Sequence, residues 1–282
     1  MPDRTVLHIG RDHRELLEAH GLADFDALLA AGERAAKGAG SLHKASLPDW
    51  RGRARLELPG GTSGGGEDGG VVFIKTYRRP PLSEQVRARL GGARAVADVE
   101  WRWAHRLRAL GVATPEPVAM GYRRRGAVEL ASLFVTAEVP GVSLQRYAAE
   151  QTVPARCAKR AILTALARLV ARLHGAGLFH RDLYLAHIFL SPCVDAGDEA
   201  TLTLIDLHRI RRARVLALRW RVKDLAALHH STPAAAATRA DRVRWFKLYR
   251  GCRRLTRGDR WLIRLIEIKA RRIGRHTRKR GL

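Results

Sequence analysis

Hydrophobic and polar residues follow two different periods along the chain. In its first half, short apolar or alternating runs predict β-strands. These runs are residues 53–58, 71–77, 118–122 and 133–139. A helical lead-in over residues 1–45 is predicted to precede them, and a helix over residues 93–110 to separate the second strand from the third. The first half is therefore predicted to be an antiparallel sheet with one long helix.

In the second half, apolar residues recur at every third or fourth position, which predicts helices. The clearest stripe on one predicted helix is Ile162, Leu166, Leu169 and Leu173. Two short apolar strands interrupt these helices ahead of Asp206. Pro140-Gly141 is suited to be a hinge between lobes. We therefore predict an α+β, two-lobed, protein-kinase-like fold with lobes at residues 1–140 and 141–282.

The net charge of +25 at pH 7 favours anionic partners such as phospholipid headgroups, phosphorylated glycans or nucleic acid. More than half of this charge lies in residues 239–282, where Trp261, Ile266 and Ile273 are interspersed with arginines. Such a basic helical tail is usually a core helix with a solvated charged side. It also fits a helix that rests on an anionic membrane.

The three cysteines have no CxxC spacing, which indicates a reducing compartment with neither a disulfide framework nor a zinc site. We find no signal peptide in the sequence, and no run of about 18 uncharged apolar residues that could span a bilayer. We therefore expect a cytoplasmic protein that is soluble or peripheral on a membrane. The glycine cluster at residues 60–70 is predicted to be a flexible linker.

Two carboxylates are the strongest indication of chemistry. Residues 178–190 read Leu-Phe-His-Arg-Asp-Leu-Tyr-Leu-Ala-His-Ile-Phe-Leu and place Asp182 in a polar loop between two apolar runs. A further apolar run, residues 201–205, leads directly to Asp206. Such a pair suits phosphoryl transfer, because one carboxylate orients the acceptor hydroxyl and the other holds the metal on the nucleotide. We predict Asp182 as the catalytic base or orienting group, and Asp206 as a Mg²⁺ ligand.

His187 and Asp224 are predicted to support these carboxylates. His187 follows Asp182 by five residues, where a kinase commonly has asparagine. It is either a second metal ligand or a packed, hydrogen-bonded histidine, since Mg²⁺ prefers oxygen ligands. Asp224 is predicted to be an internal anchor that accepts backbone N–H groups of the catalytic loop. Few residues separate Asp206 from Asp224, which leaves little room for the activation segment of a protein kinase.

The first half supplies a candidate nucleotide site. Lys75 lies within the predicted strand 71–77, and Glu100 lies on the apolar stripe of the helix that follows. Lys75 alone could simply reach solvent, but a buried Glu100 needs a cationic partner. We predict a Lys75–Glu100 ion pair that aims the ammonium at phosphate oxygens of ATP. Backbone near Glu138 and Val139 is predicted to meet the adenine.

In three segments the chain resembles the lipopolysaccharide kinase family, the bacterial enzymes that phosphorylate Kdo or the first heptose of the inner core. The segments are residues 180–190, 204–209 and 219–225. The resemblance implies a kinase-like fold, ATP and Mg²⁺. It also implies an anionic glycolipid acceptor reached from the cytoplasmic face of the inner membrane. Tyr184 and His187 follow the family's variant of the catalytic loop, which has these residues where protein kinases keep lysine and asparagine.

Two other functions fit parts of the sequence. One is a Ser/Thr/Tyr protein kinase with a minimal activation segment. The other is a catalytically dead, basic protein on a kinase-like fold that binds nucleic acid or a membrane. The presence of Lys75, Glu100, Asp182 and Asp206 speaks against a dead fold. We therefore expect a sugar kinase of the lipopolysaccharide core, with nucleic acid an unlikely partner.

Overall fold

A computed structural model describes residues 2–38, 42, 48–59, 70–150, 156–191 and 200–279. The predicted linker at residues 60–70 lies mostly outside the described residues. The chain forms two compact units. The first contains residues 1–107 and 115–138, and the second contains residues 108–114 and 139–282.

The first unit contains a five-stranded antiparallel sheet in the order β1-β4-β5-β3-β2. Its strands are β1 (Asp3–Ile9), β2 (Arg51–Leu58), β3 (Gly70–Arg78), β4 (Pro117–Arg125) and β5 (Val128–Ala137). Its helices are α1 (Arg14–Ala19), α2 (Phe25–Lys37), α3 (Leu82–Leu90) and α4 (Val96–Ala109). The four predicted strands and the predicted long helix are confirmed. The prediction of a purely helical lead-in is wrong for residues 3–9, which form an edge strand paired with β4.

Helix α2 determines which face of β3 remains for Lys75. The side chain of Asp24 accepts the backbone N–H of Ala27 and caps this helix. Gly32 allows α2 to approach the sheet closely, because an added Cβ would lie 2.9 Å from the Cγ2 of Ile74. Val72 and Ile74 are therefore buried against α2. Since side chains alternate along a strand, Lys75 points to the opposite face.

The second unit consists mainly of helices, with two small sheets. Its helices are α5 (Leu144–Ala149), α6 (Arg156–Gly175), α7 (Ala217–Ser231), α8 (Arg239–Arg250) and α9 (Arg257–Lys279). Its strands are β6 (Val142–Ser143), β7 (Leu178–Phe179), β8 (Ile188–Leu190), β9 (Leu202–Leu204) and β10 (Arg211–Arg212). Strands β6, β8 and β9 form one sheet, and β7 pairs with β10. The predicted apolar stripe of α6 is buried, as expected.

Gly141 has a conformation that only glycine adopts readily. Its φ is 100°, and an added Cβ would overlap the carbonyl oxygen of Leu190. The close approach follows from the pairing of Val142 with Leu190 between β6 and β8. Glycine is therefore required at this end of the predicted Pro140-Gly141 hinge.

Helix α9 uses much of its apolar face in the core of the second unit. Leu262, Ile266 and Ala270 are buried, and α9 packs against α7. Trp261 and Ile268 are exposed. This burial favours the interpretation of the basic tail as a core helix with a charged outer side. Among the described residues, none of the helices is both long enough and apolar enough to cross a bilayer.

Asp241 is expected to make folding stability depend on pH in acid. It forms a capping box with Thr238 at the start of α8 and lies 2.7 Å from the Nζ of Lys159. These hydrogen bonds, with Lys159 first, lower the pKa of Asp241 from 3.8 to about 2. The stabilisation is present above pH ~4 and is lost as the pH falls toward ~2, because the folded state binds this proton less readily than the unfolded state.

Asp241→Asn is therefore expected to lower the free energy of unfolding by about 1–2 kcal/mol at neutral pH, and by progressively less as the pH falls toward ~2. Urea unfolding at a series of pH values measures this difference. Lys159→Gln removes only the cation and should give a smaller loss. A loss that is the same at every pH would show that the carboxylate's charge is not responsible.

Candidate active site

Lys75 and Glu100 form the predicted ion pair in the first unit. The Nζ of Lys75 lies 2.5 Å from the Oε2 of Glu100, and the hydroxyl of Tyr77 donates to Oε1 at 3.2 Å. The Glu100 side chain is 2% exposed, whereas that of Lys75 is 21% exposed. Glu100 is therefore held by two donors in the interior, while part of the Lys75 side chain reaches the surface.

The start of α4 is bonded directly to β5, which fixes the helix that carries Glu100. The backbone N–H of Val96 donates to the Oε2 of Glu129 at 2.9 Å, and that of Ala97 donates to the Oγ of Ser132 at 3.3 Å. Ser132 in turn donates to the Oε1 of Glu129 at 2.6 Å. Burial raises the pKa of Glu129, and these hydrogen bonds oppose that effect. Sequence reasoning missed both Glu129 and Ser132.

The backbone proposed to meet adenine is partly used by the sheet. The N–H of Glu138 donates to the carbonyl of Val71 at 2.9 Å, so this group already has a partner. The side chain of Glu138 pairs with Arg55 at 3.6 Å. An adenine contact at this position would therefore use the Glu138 carbonyl or the backbone of Val139.

Asp224 organises the catalytic loop of the second unit, as predicted. It is fully buried, and its carboxylate accepts the backbone N–H of His180 at 2.8 Å and that of Arg181 at 2.6 Å. Arg181 has a φ of 71°, a left-handed conformation that is uncommon for an arginine. The two hydrogen bonds hold this strained turn in place.

The rest of the loop is also held by its neighbours. The Nε2 of the buried His180 lies 3.0 Å from the carbonyl of Ile205, which follows β9. The backbone N–H of Leu185 donates to the Oγ of Ser231 at 3.0 Å, at the far end of α7. The guanidinium of Arg181 lies over the ring of Trp220 at 4.5 Å. His180 and Arg181 therefore brace the loop.

Two cations contact Asp182, and neither was predicted from the sequence. Its Oδ2 lies 2.6 Å from Arg209, and its Oδ1 lies 3.5 Å from the Nζ of Lys223. Burial lowers the pKa of Lys223, an effect that the nearby Asp182 charge opposes. Lys223 immediately precedes Asp224 on α7, so the helix that anchors the loop also supplies a cation to Asp182. Tyr184 occupies the position at which protein kinases keep a lysine in their catalytic loop.

Asp206 and His187 present a donor set that suits a divalent cation. The Nδ1 of His187 lies 2.8 Å from the backbone carbonyl of Asp182 and donates to it, which leaves Nε2 as the ring nitrogen that faces Asp206. Nε2 lies 3.8 Å from the Oδ2 of Asp206, whose Oδ1 contacts His208 at 2.8 Å. One carboxylate together with substrate phosphates and water is a common Mg²⁺ environment, which these residues fit.

The predicted residues thus fall into two groups. The first unit brings Lys75 to Glu100, and the second unit brings His187 to both Asp182 and Asp206. Arg209, Lys223 and Ser231 complete the second group. The only signal for Lys223 in the sequence was its position next to Asp224.

Known proteins resemble this chain over most of its length. Residues 69–249 match the lipopolysaccharide kinase (Kdo/WaaP) family. A relative named lipopolysaccharide core heptose(I) kinase WaaP, from Escherichia coli K12, is 32% identical over 76% of this chain and 84% of its own length. Its namesake from Pseudomonas aeruginosa is 34% identical over 76% of this chain and 83% of its own.

A second group of relatives acts on another sugar. A protein from Xanthomonas campestris named 3-deoxy-D-manno-octulosonic acid kinase is 31% identical over 64% of this chain and 71% of its own length. Among solved structures, one described as WaaP in complex with acyl carrier protein matches with a TM-score of 0.67 and 29% identity. That match covers 95% of this chain and 98% of the other.

Proposed function

The chain belongs to the lipopolysaccharide kinase (Kdo/WaaP) family, and we propose that the sugar it phosphorylates is a heptose of the inner core. As a member of this family it is an ATP-dependent phosphotransferase that acts on a sugar hydroxyl of the lipopolysaccharide core. The choice of heptose is supported by the extent of the alignments. The heptose(I) kinases align over more of this chain, and over more of their own length, than the Kdo kinases do. Family membership argues against the two alternatives, a protein kinase and a catalytically dead, basic protein.

The proposed reaction is a single displacement at phosphorus. The oxygen of a heptose hydroxyl attacks the γ-phosphorus of ATP, the bond to the β-γ bridging oxygen breaks, and ADP leaves. Asp182 accepts a hydrogen bond from the attacking hydroxyl, directs its oxygen at phosphorus and takes its proton as the new bond forms. The observation that carries this proposal is the braced catalytic loop, in which Asp224 fixes the backbone just before Asp182.

The other site residues are proposed to handle the nucleotide. Lys75 contacts phosphate oxygens, and Glu100 keeps the ammonium in position. Asp206, with His187, would hold Mg²⁺, which supplies positive charge to the phosphates when it is bound. The backbone at Glu138 and Val139 is proposed to contact adenine.

Lys223 is proposed to position Asp182. Lys223→Met is expected to lower kcat about 10²-fold with little change in the KM for ATP, because Asp182 loses one of two orienting cations. Lys223→Arg should restore most of the rate. Steady-state kinetics of the purified variants measure both effects, and thermal unfolding checks that each variant is folded.

The pH profile separates this role from a purely structural one. Because burial lowers the pKa of Lys223 below its ordinary 10.5, the wild-type rate should begin to fall at a lower pH than an exposed lysine would cause. The Arg variant should move that alkaline decline to higher pH, since guanidinium stays protonated. An unchanged decline would assign the titration to another group.

The acceptor can be tested with two defined glycolipids. One carries lipid A with Kdo only, and the other also carries the first heptose. With labelled ATP and Mg²⁺, we expect label only on the heptose-bearing glycolipid, and Asp206→Asn should abolish it. Label on the Kdo-only glycolipid would assign the chain to the Kdo kinases instead. A protein substrate in the same reaction tests the protein-kinase alternative.

A cavity in the second unit is a candidate binding site for a protein partner. Its volume is about 670 Å³, and it lies among α6, α7, α8 and α9. Leu163, Leu166 and Phe246 contribute apolar surface, and Lys159 and Arg264 contribute cations. We propose that the chain binds an acyl carrier protein, as the solved relative does, and that the acyl chain enters this cavity.

Acylated carrier protein should raise the melting temperature of the enzyme. The substitution Leu163→Trp, which fills the cavity, should abolish this increase.

We also propose that the enzyme works at the cytoplasmic face of the inner membrane. ATP and the growing glycolipid acceptor are both accessible there. The net charge of +25 supports attraction to a surface of anionic lipids. Fractionation of cells at low and high salt tests this location, because a peripheral protein held by charge is released by salt.

A further inference from the structure

The stretch between Asp206 and Asp224 carries charge of one sign. Residues 207–223 contain six arginines, Lys223 and no acidic residue. Five of these arginines are exposed: Arg209, Arg211, Arg212, Arg214 and Arg219. We refer to residues 209–221 as the arginine segment. With no carboxylate of its own, it presents a positive surface that favours an anionic partner.

Three apolar side chains project from the middle of the arginine segment. Val215 is 96% exposed, Leu216 is 50% exposed and Leu218 is 45% exposed. We refer to these three residues as the apolar tip. Single exposed apolar residues are ordinary on protein surfaces. Three close together and flanked by arginines have the composition of a segment that enters the headgroup region of an anionic bilayer.

Both ends of the arginine segment are tied to the catalytic loop. At its start, Arg211 and Arg212 pair with β7, the strand that leads into the loop, and the N–H of Ala213 donates to the carbonyl of Gly177 at 3.0 Å. At its end, α7 carries Asp224, which binds the loop backbone. The apolar tip therefore lies between two anchored stretches, one paired with the strand that leads into the catalytic loop and the other bonded to the loop itself.

Helix α7 connects the apolar tip to the residue that contacts Asp182. Leu218 precedes Lys223 by five helical residues, which corresponds to a rise of about 8 Å. The ammonium of Lys223 lies 3.5 Å from Asp182. Leu218 and the residue that contacts Asp182 are therefore separated by only about one and a half turns of α7.

We propose that the arginine segment is the membrane-docking surface of this enzyme, with the apolar tip in the headgroup region of an anionic bilayer and the arginines on lipid phosphates. This inference rests on the proposed function, because it explains how a lipid-borne sugar reaches Asp182. It assigns membrane contact to the loop beside the active site rather than to the basic tail.

Two other exposed apolar surfaces provide matched controls. Leu82, Val86 and Leu90 lie on one face of α3 and are 66%, 49% and 85% exposed. The neighbouring Arg87 pairs with Glu84, and Arg89 donates to the carbonyl of Ala127, so these cations are engaged within the chain. On α9, Trp261 and Ile268 are 53% and 47% exposed.

The test is co-sedimentation of the full chain with phosphatidylcholine vesicles that contain or lack phosphatidylglycerol. The wild type should bind only the anionic vesicles. Val215→Ser/Leu216→Ser/Leu218→Ser should weaken this binding about tenfold or more. The matched variants Leu82→Ser/Val86→Ser/Leu90→Ser and Trp261→Ser/Ile268→Ser should bind as the wild type does. Arg212→Ala/Arg214→Ala should also weaken binding, and more so at low salt.

Phosphorylation of a deacylated, water-soluble core oligosaccharide distinguishes a failure of the docking proposal from a failure of the proposed function. The apolar-tip variant should phosphorylate this acceptor at the wild-type rate, which also shows that it is folded. Wild-type binding by the tip variant, or loss of binding only in the α9 variant, would overturn the docking proposal. If no sugar acceptor is labelled by the wild type, the proposed function fails, while the vesicle measurements still decide whether the segment binds membranes.

Discussion

Asp182→Asn lowers kcat for sugar phosphorylation by about 10³-fold, with the KM for ATP nearly unchanged, if Asp182 orients the acceptor hydroxyl. Asparagine keeps the size of the side chain but loses an oxygen acceptor and the negative charge. The backbone of the loop should not move, because its hydrogen bonds to Asp224 and Ser231 do not involve the Asp182 side chain.

Stability should change little in this variant. Arg209, which contacts Asp182, has a side chain that is 44% exposed and can be solvated when the carboxylate is lost. Asp26→Asn, which removes a carboxylate from a surface pair with Arg123, is the matched control and should leave kcat at the wild-type value. Rates are measured with labelled ATP on the soluble oligosaccharide. A kcat within tenfold of the wild type would assign the orienting role to another residue.

Substitutions in the Lys75–Glu100 pair should affect the stability of the fold and the activity of the enzyme differently. Lys75→Met leaves a carboxylate that is 2% exposed without its cation, which should lower the free energy of unfolding by about 3 kcal/mol. Glu100→Gln should cost less, because Lys75 is partly exposed and Tyr77 can still bond the amide oxygen. The double variant should recover most of the stability lost in Lys75→Met, since no buried charge remains.

Activity should not recover with stability. All three variants are expected to lose about 10²- to 10³-fold in kcat, because Lys75→Met and the double variant lack the ammonium and Glu100→Gln leaves it without the carboxylate that positions it. Urea unfolding and steady-state kinetics on the same preparations measure the two effects. The surface pair of Asp3 and Arg125 is the control, and Asp3→Asn should change both by little. Restored activity in the double variant would show that Lys75 serves the fold only.

The parts of the site that the sequence predicted are those with a local signature. Asp182 and Asp206 each follow a short apolar run, and Glu100 interrupts an apolar helical stripe. Asp224 was recognised in the same way, as an acidic residue on a buried helix, and the structure confirms its role as a backbone anchor. In each case the pattern of a few neighbouring residues reflects burial, and burial of a carboxylate demands partners.

The parts that were missed depend on contacts between distant segments. Lys223 reaches Asp182 only because α7 packs against the catalytic loop. The position of Lys223 next to Asp224 in the sequence does not by itself show that its side chain meets Asp182. Glu129 and Ser132 lie on β5 and bond the start of α4, a contact set by the sheet order. Strand β1 was taken for part of a helical lead-in because an exposed edge strand has little apolar alternation, and its pairing with β4 decides its conformation.

The stretch that joins Asp206 to α7 has a consequence for control of the enzyme. Residues 207–223 contain no serine, threonine or tyrosine. In many protein kinases the corresponding stretch is ordered by a phosphate attached to one of those side chains. Here the ladder with β7 and the Arg181–Trp220 stack hold it without such a phosphate. Phosphorylation of a hydroxyl side chain within this stretch therefore cannot switch the enzyme on or off.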